Sequence, residues 1–206
     1  MDTKTIVWDV DTQVDFIDPA GTLPVPGAHE QREQFRKVLE HFAALGCPIL
    51  GTVDAHVGPE KIPGTQDQFF PLHCILGTRG QQKIAETDHP DILYVTDVPY
   101  AGIALEQVIK EILAGKRIYF HKQTIGFLSN PNAQRIIKRL QVQQVYLFGV
   151  ATNFCVKAAH DAFRAMGIRV ILVAEAMRGL DVPGNCAADA LVAMRNSGAD
   201  IYSLES

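Results

Sequence analysis

Short runs dominated by apolar residues alternate along this chain with stretches whose apolar positions recur every three or four residues. The runs at 5–10, 49–53, 92–95, 117–120, 145–148 and 169–173 are rich in Val, Ile, Leu, Phe and Tyr and predict buried strands, with a weaker one at 200–202. Helical spacing sets Phe35, Val38, Leu39, Phe42 and Ala43 on one face, and Leu105, Val108, Ile109, Ile112 and Leu113 on another. A third helix is expected to start at Asn130-Pro131, a cap followed by proline, and to bury Ile136, Ile137 and Leu140. A fourth carries Val156, Ala159, Ala162, Phe163 and Met166 and closes at Gly167; the last starts near Pro183 and runs through Leu191 and Met194 to Gly198. Apolar strands separated by helices predict an α/β fold, a three-layer doubly wound sandwich around a mainly parallel sheet of roughly six strands. No repeat or linker interrupts the pattern, so residues 1–206 are expected to form a single domain.

Composition narrows the function classes. The 206 residues are 47% hydrophobic and carry a net charge of -4, with no basic run to hold nucleic acid. No apolar stretch reaches the roughly 18 residues of a membrane span. Met1-Asp2-Thr3-Lys4-Thr5 leads straight into the first strand without the build of a signal peptide. The cysteines at 47, 74, 155 and 186 show no CxxC pairing, which points to a reduced, cytoplasmic protein.

The chemistry-bearing residues fall just past the strands. In open α/β sheets, sites form outside the carboxyl ends of the strands. Asp11 follows the first, Asp54-Ala55-His56 the second, and His121-Lys122 the run at 117–120; Cys155 follows 145–148 and is expected in the first turn of a helix. There the helix dipole and a nearby cation favour a thiolate. Asp11 can take the thiol proton and return it to a leaving group, and Lys122 can orient Asp11. Backbone N–H groups of Cys155 and of the loop before it can form an oxyanion hole. That set of parts describes acyl transfer from an amide through a thioester. The long irregular stretch at 55–78, rich in Gly, Pro, His and Asp, is of a length that is usually functional.

Four segments together resemble the isochorismatase-like cysteine hydrolases, and within them the nicotinamidase/pyrazinamidase group. Val10-Asp11-Thr12-Gln13-Val14-Asp15-Phe16 resembles V-D-x-Q-x-D-F, Phe120-His121-Lys122 the strand end with the catalytic lysine, and Gly149 to Val156 the nucleophile motif G-V-x-T-x-x-C-V. Asp54-Ala55-His56 with Pro71-Leu72-His73-Cys74-Ile75-Leu76-Gly77-Thr78 resembles the metal site and P-x-H-C-x-x-G-T. The resemblance implies a catalytic Asp11, Lys122 and Cys155, and an oxyanion hole from the N–H groups of Ala151 and Cys155 beside a cis Val150–Ala151 bond. It also implies a divalent metal, Zn²⁺ with Mn²⁺ or Fe²⁺ as alternatives, on Asp54, His56 and His73. Glu60, Asp67 or a water would complete the ligand set, because the second histidine usual in that loop is missing. Phe16 and Phe70 stand where the group sandwiches a flat ring, and Gln13 is placed with the substrate contacts or behind them.

The implied reaction is hydrolysis of nicotinamide, or a closely similar small carboxamide, to its acid and ammonia. That would be a step of NAD salvage in a homodimer or homotetramer acting on a small molecule, with no nucleic acid or membrane partner. Gln123-Thr124-Ile125-Gly126-Phe127-Leu128-Ser129-Asn130 departs from the Ser-Tyr-Ser-like segment that nicotinamidases carry after the lysine. A cysteine hydrolase acting on an N-carbamoyl compound, a ureide or maleamate is therefore the alternative within the fold. An isochorismatase proper is disfavoured by the presence of Cys155, and a non-catalytic binding or scaffold protein by the intact Asp11, Lys122 and Cys155 set. Cys47, Cys74 and Cys186 are expected to be structural, the last inside a helix. His29, His41, His89 and His160 are expected at the surface or as caps, Asp9 on the opposite strand face from Val10, and Asp15 as a loop tie.

Overall fold

The computed structural model describes residues 3–58, 70–182 and 184–204. Its strands are β1 (Thr5–Val10), β2 (Ile49–Asp54), β3 (Ile92–Val95), β4 (Arg117–Lys122), β5 (Gln144–Val150), β6 (Arg169–Arg178) and β7 (Asp200–Ile201). They form one seven-stranded sheet in the order β3-β4-β2-β1-β5-β6-β7, and every pairing is parallel. The expected sheet of six gains its seventh strand from the weak run near residue 200, a two-residue edge piece against β6. After β1 the chain builds outward on one side, then returns to the other side at β5. That makes the β1–β5 boundary the switch point where such folds open a crevice.

Around the sheet lie α1 (Val14–Ile17), α2 (Arg32–Ala44), α3 (Gly102–Leu113), α4 (Ala133–Arg139), α5 (Lys157–Ala165) and α6 (Ala187–Asn196). Strand side chains alternate between faces, so adjacent residues feed different cores. Trp8, Phe120 and Leu147 pack with Leu105, Ile109, Ile136 and Phe163 on one face. Val7, Phe148 and Val173 pack with Phe35, Leu39 and Phe42 on the other. Among the described residues, no helix is long and apolar enough to cross a membrane.

Several boundaries differ from the sequence pattern, each for a local reason. β2, β4 and β5 run past the apolar stretches, because Asp54, Lys122 and Gly149 continue the ladder while turning polar or close-packed groups inward. α4 starts at Ala133, not at Asn130-Pro131. The Asn130 amide is instead fully buried and donates to the carbonyls of Val95 and His121, tying two strand ends to the turn. α6 starts at Ala187 rather than near Pro183, which lies outside the described residues. Cys186 is thus the residue before the helix, and its Sγ accepts the Asp189 N–H.

Candidate active site

Four neighbouring strand ends converge. β4, β2, β1 and β5 lie side by side, and they present Lys122, Asp54, Asp11 and, one turn beyond β5, Cys155. Lys122 and Asp54 are register partners across β4 and β2, so their side chains leave the sheet together. Asp11 has φ +50°, and this left-handed step ends β1 and turns its carboxylate into the cluster. Lys122 Nζ lies 3.0 Å from Asp11 Oδ2 and 3.4 Å from Cys155 Sγ, and it also donates to Asp54 Oδ1. His121, one residue earlier, faces the other way, with its ring 5.5 Å from that of Tyr94. Cys155 does not open an ordinary α-helix. Thr152–Val156 form a single π-helical turn in which the Val156 N–H reaches back to the Ala151 carbonyl, and α5 follows. Wide turns of this kind recur at functional sites. The Val150–Ala151 bond is cis.

Burial decides the charge states. Lys122 and Asp11 are almost wholly buried. Burial pulls the Lys122 ammonium toward losing its proton, but Asp11, Asp54 and Cys155 outweigh it and hold the lysine well above its ordinary value. Burial also raises the Asp11 carboxyl; Lys122 opposes this and the Asp54 charge adds to it. Asp54 itself is held well below the usual carboxylate range, because Lys122 and the imidazoles of His56 and His73 overcome its burial. For Cys155 burial again dominates, and with the charges of Asp11 and Asp54 it lifts the thiol well above its usual value against the pull of Lys122. These influences favour the thiol, in contrast to the thiolate that a helix dipole and a cation alone would favour. Such a thiol ionises only with a base at hand, and one oxygen each of Asp11 and Asp54 lies with the sulfur of Cys155 in a group whose atoms are within 4.8 Å of one another.

Asp54, His56 and His73 form a second cluster whose ligand atoms also fall within 4.8 Å. His73 Nδ1 donates to the Pro71 carbonyl at 2.8 Å, which leaves the lone pair of Nε2 available to a metal ion, 3.5 Å from Asp54 Oδ2. His56 Nε2 lies 3.8 Å from the same oxygen and is buried without a hydrogen-bond partner. Ligands of a tetrahedral zinc ion stand about 3.3 Å apart. Two imidazoles and a carboxylate near that spacing, one nitrogen orphaned, fit a divalent ion. Glu60 and Asp67, the candidates for a further ligand, lie outside the described residues.

Gln13 and Asp15 support the site without lining it. The Gln13 amide donates to the Asp54 carbonyl at 2.8 Å and accepts the Asp54 N–H at 2.7 Å, so this side chain fixes Asp54 and is not a substrate contact. Asp15 accepts the N–H groups of Cys74 and Thr22, which ties down the loop that carries His73. Phe16 and Phe70 do reach the crevice. It is partly open to solvent and lies between Phe16, Leu23, Val25, Asp54, Phe70, His73, Ile125, Ala151, Phe154, Cys155 and Leu180. The aliphatic wall of Leu23, Val25, Ile125 and Leu180 comes from loops with no periodicity to expose it. Asn153 escaped notice too, although it sits in the nucleophile motif. Its amide donates to the carbonyls of Leu180 and Asn185 and accepts the Leu180 N–H, clamping that wall to the turn that carries Cys155.

The chain is 23% identical to nicotinamidase from Escherichia coli (strain K12), over 95% of this chain and 92% of that protein. Its fold superposes on that of pyrazinamidase from Pyrococcus horikoshii in complex with zinc, with a TM-score of 0.73, 23% identity and coverage of 98% and 99% of the two chains. N-carbamoylsarcosine amidase from Thermoplasma acidophilum is also similar, at a TM-score of 0.71 and 22% identity, covering 98% of each. The isochorismatase domain model matches residues 6–206. With its parallel sheet, strand-end cluster and near-complete match, this chain belongs to the isochorismatase domain family.

Proposed function

We propose that this protein is a cysteine amidohydrolase that cleaves a small uncharged carboxamide, nicotinamide or a compound of similar shape, to the acid and ammonia. The character of the crevice carries this reading. Apart from Asp54 and His73, every described residue that surrounds Cys155 there is apolar. A flat or compact apolar body fits against Phe16, Phe70 and Phe154. An N-carbamoyl amino acid or maleamate would bring a carboxylate against the same apolar wall and lose its hydration there, offset only where that carboxylate reached the ion held by Asp54 and His73.

In the proposed cycle Asp11 takes the proton from Cys155 Sγ as the sulfur attacks the carbonyl carbon. Lys122 stays charged, holds Asp11 and offsets the negative charge that builds up. The N–H groups of Ala151 and Cys155 receive the oxyanion. Collapse breaks the C–N bond, Asp11 returns the proton to the departing amine, and water activated by the same carboxylate hydrolyses the thioester. Asp54, His56 and His73 would hold a divalent ion, which when bound supplies a Lewis-acidic anchor for a ring nitrogen of the substrate. Cys74, Cys155 and Cys186 form no disulfide, which supports a reducing, cytoplasmic setting, and nicotinamide as substrate would place the protein in NAD salvage.

Ammonia release from nicotinamide, pyrazinamide, an N-carbamoyl amino acid, biuret and maleamate tests the reading. The neutral ring amides are expected to exceed the carboxylate-bearing compounds by at least about 100-fold in kcat/KM. Preference for an N-carbamoyl amino acid or maleamate would overturn it.

A further inference from the structure

Beneath the crevice lies a second charged cluster that the proposed chemistry does not use. The side chains of Asp9 and Lys83 are completely buried, and Lys83 Nζ sits 2.8 Å from Asp9 Oδ2. The Tyr119 hydroxyl donates to the same Asp9 oxygen at 2.7 Å, and Lys83 Nζ lies 4.0 Å above the Tyr119 ring. Tyr119 crosses from β4 to β1 over Gly51 of β2, where even a Cβ would come within 2.7 Å of its ring. Thr12 joins the cluster: its hydroxyl donates to Asp9 at 2.9 Å, accepts from Lys83 at 2.8 Å, and lies 2.9 Å from that of Thr87.

An ion pair this deep is a poor source of stability, because desolvating both charges offsets their attraction. Its placement suggests what it gains instead. Thr12 stands between Asp11 and Gln13, the two residues that face the reacting cluster and the backbone of Asp54. Main-chain bonds run from Ile84 N–H to the Thr12 carbonyl at 3.1 Å and from Val14 N–H to the Gln82 carbonyl at 2.8 Å. Segment 80–84 therefore straps across the turn, and Lys83 fixes it from below.

We propose that Lys83, paired with Asp9, is a positioning residue that acts through Thr12 to hold the left-handed Asp11 turn, so that the Asp11 carboxylate faces Cys155 and Lys122. The proposal rests on the reading of Asp11 as the base for Cys155. Lys83 has no access to a substrate and takes no proton in the reaction. Both members of the pair lie outside the motif positions that mark the family resemblance.

The test uses the full chain carrying Asp9→Leu with Lys83→Met, which removes both buried charges at once, and Thr12→Val, which leaves the pair but cuts the tether. For each variant three quantities are measured: the melting temperature, kcat and KM on the best amide substrate, and the rate of Cys155 alkylation by iodoacetamide at one pH. With folding retained, kcat is expected to fall about 10–100-fold, as for an ångström-scale misplacement. KM should change less than about threefold, because the crevice wall is untouched. Alkylation should slow in parallel, since it too needs Asp11 to take the thiol proton. If the double variant does not fold, Thr12→Val decides. Wild-type kcat and alkylation in a folded variant would overturn the proposal. If the wild-type protein hydrolyses no amide, the proposed function fails, while alkylation still judges Lys83.

Discussion

Asp11, Lys122, Asp54 and His56 stand at or just after buried strands, Cys155 one turn beyond β5, and His73 in the loop that Asp15 ties down. The charge state of the thiol depends first on the burial of Cys155 itself and then on the lysine and the two carboxylates around it. His160 shows a readable signal passed over. It was expected at the surface or as a cap, yet its side chain is buried, with Nδ1 2.9 Å from Asp161 and Nε2 3.3 Å from the Ser197 hydroxyl. Its position follows from Val156, Ala159 and Phe163, which share the inward face of that helix at spacings of three and four. Burial lowers the His160 pKa, and Asp161 only partly opposes this. The folded state then binds fewer protons than the unfolded chain, so this residue's contribution to stability declines as pH falls through the unfolded value near 6.5. Urea unfolding at pH 7.5 and 5.5 should show wild type losing more stability than His160→Gln. Equal losses would contradict the assignment.

At the scale of elements, the strands were legible in place but not in length. Apolarity marks where a strand is buried, whereas β2 and β4 continue through Asp54 and Lys122 to deliver them. The two helix starts went astray because Asn130 and Cys186 use their side chains on tertiary or capping contacts that no local pattern encodes. Asp9 was readable in one respect: a carboxylate between Trp8 and Val10 in a buried strand demands a partner, but nothing in the spacing says that Lys83 supplies it. Gly51 is the matching case in β2. A Cβ there would sit 2.1 Å from the Asp9 carbonyl oxygen, which is backbone and cannot swing aside. Gly51→Ala should cost about 2–3 kcal/mol, or roughly 5–10 °C in melting temperature. A melt within about 2 °C of wild type would show that the strands part more easily than this close approach implies.

For the whole molecule, alternation of strands and helices was enough to read the parallel sandwich, but not the strand order. Order depends on which way each crossover returns, and it is order that sets β4, β2, β1 and β5 side by side. The crevice wall was hidden for the same reason, since Leu23, Ile125 and Leu180 meet only after folding. The cluster of Asp54, His56 and His73 joins the end of β2 to the loop held by Asp15, so a bound ion should tie distant segments together. Zinc at about 100 times its dissociation constant should add about 2.7 kcal/mol, a rise of roughly 5–10 °C over chelator-treated protein. His73→Ala should abolish that shift; an undiminished shift in the variant would place the ion elsewhere.

The claim on which the account turns is that Cys155 forms the bond to the substrate. Ammonia release from nicotinamide by metal-loaded wild type and Cys155→Ala measures it directly. The account predicts steady turnover by wild type and a loss of at least about 10⁴-fold in the variant. Release by Cys155→Ala at the wild-type rate would contradict it.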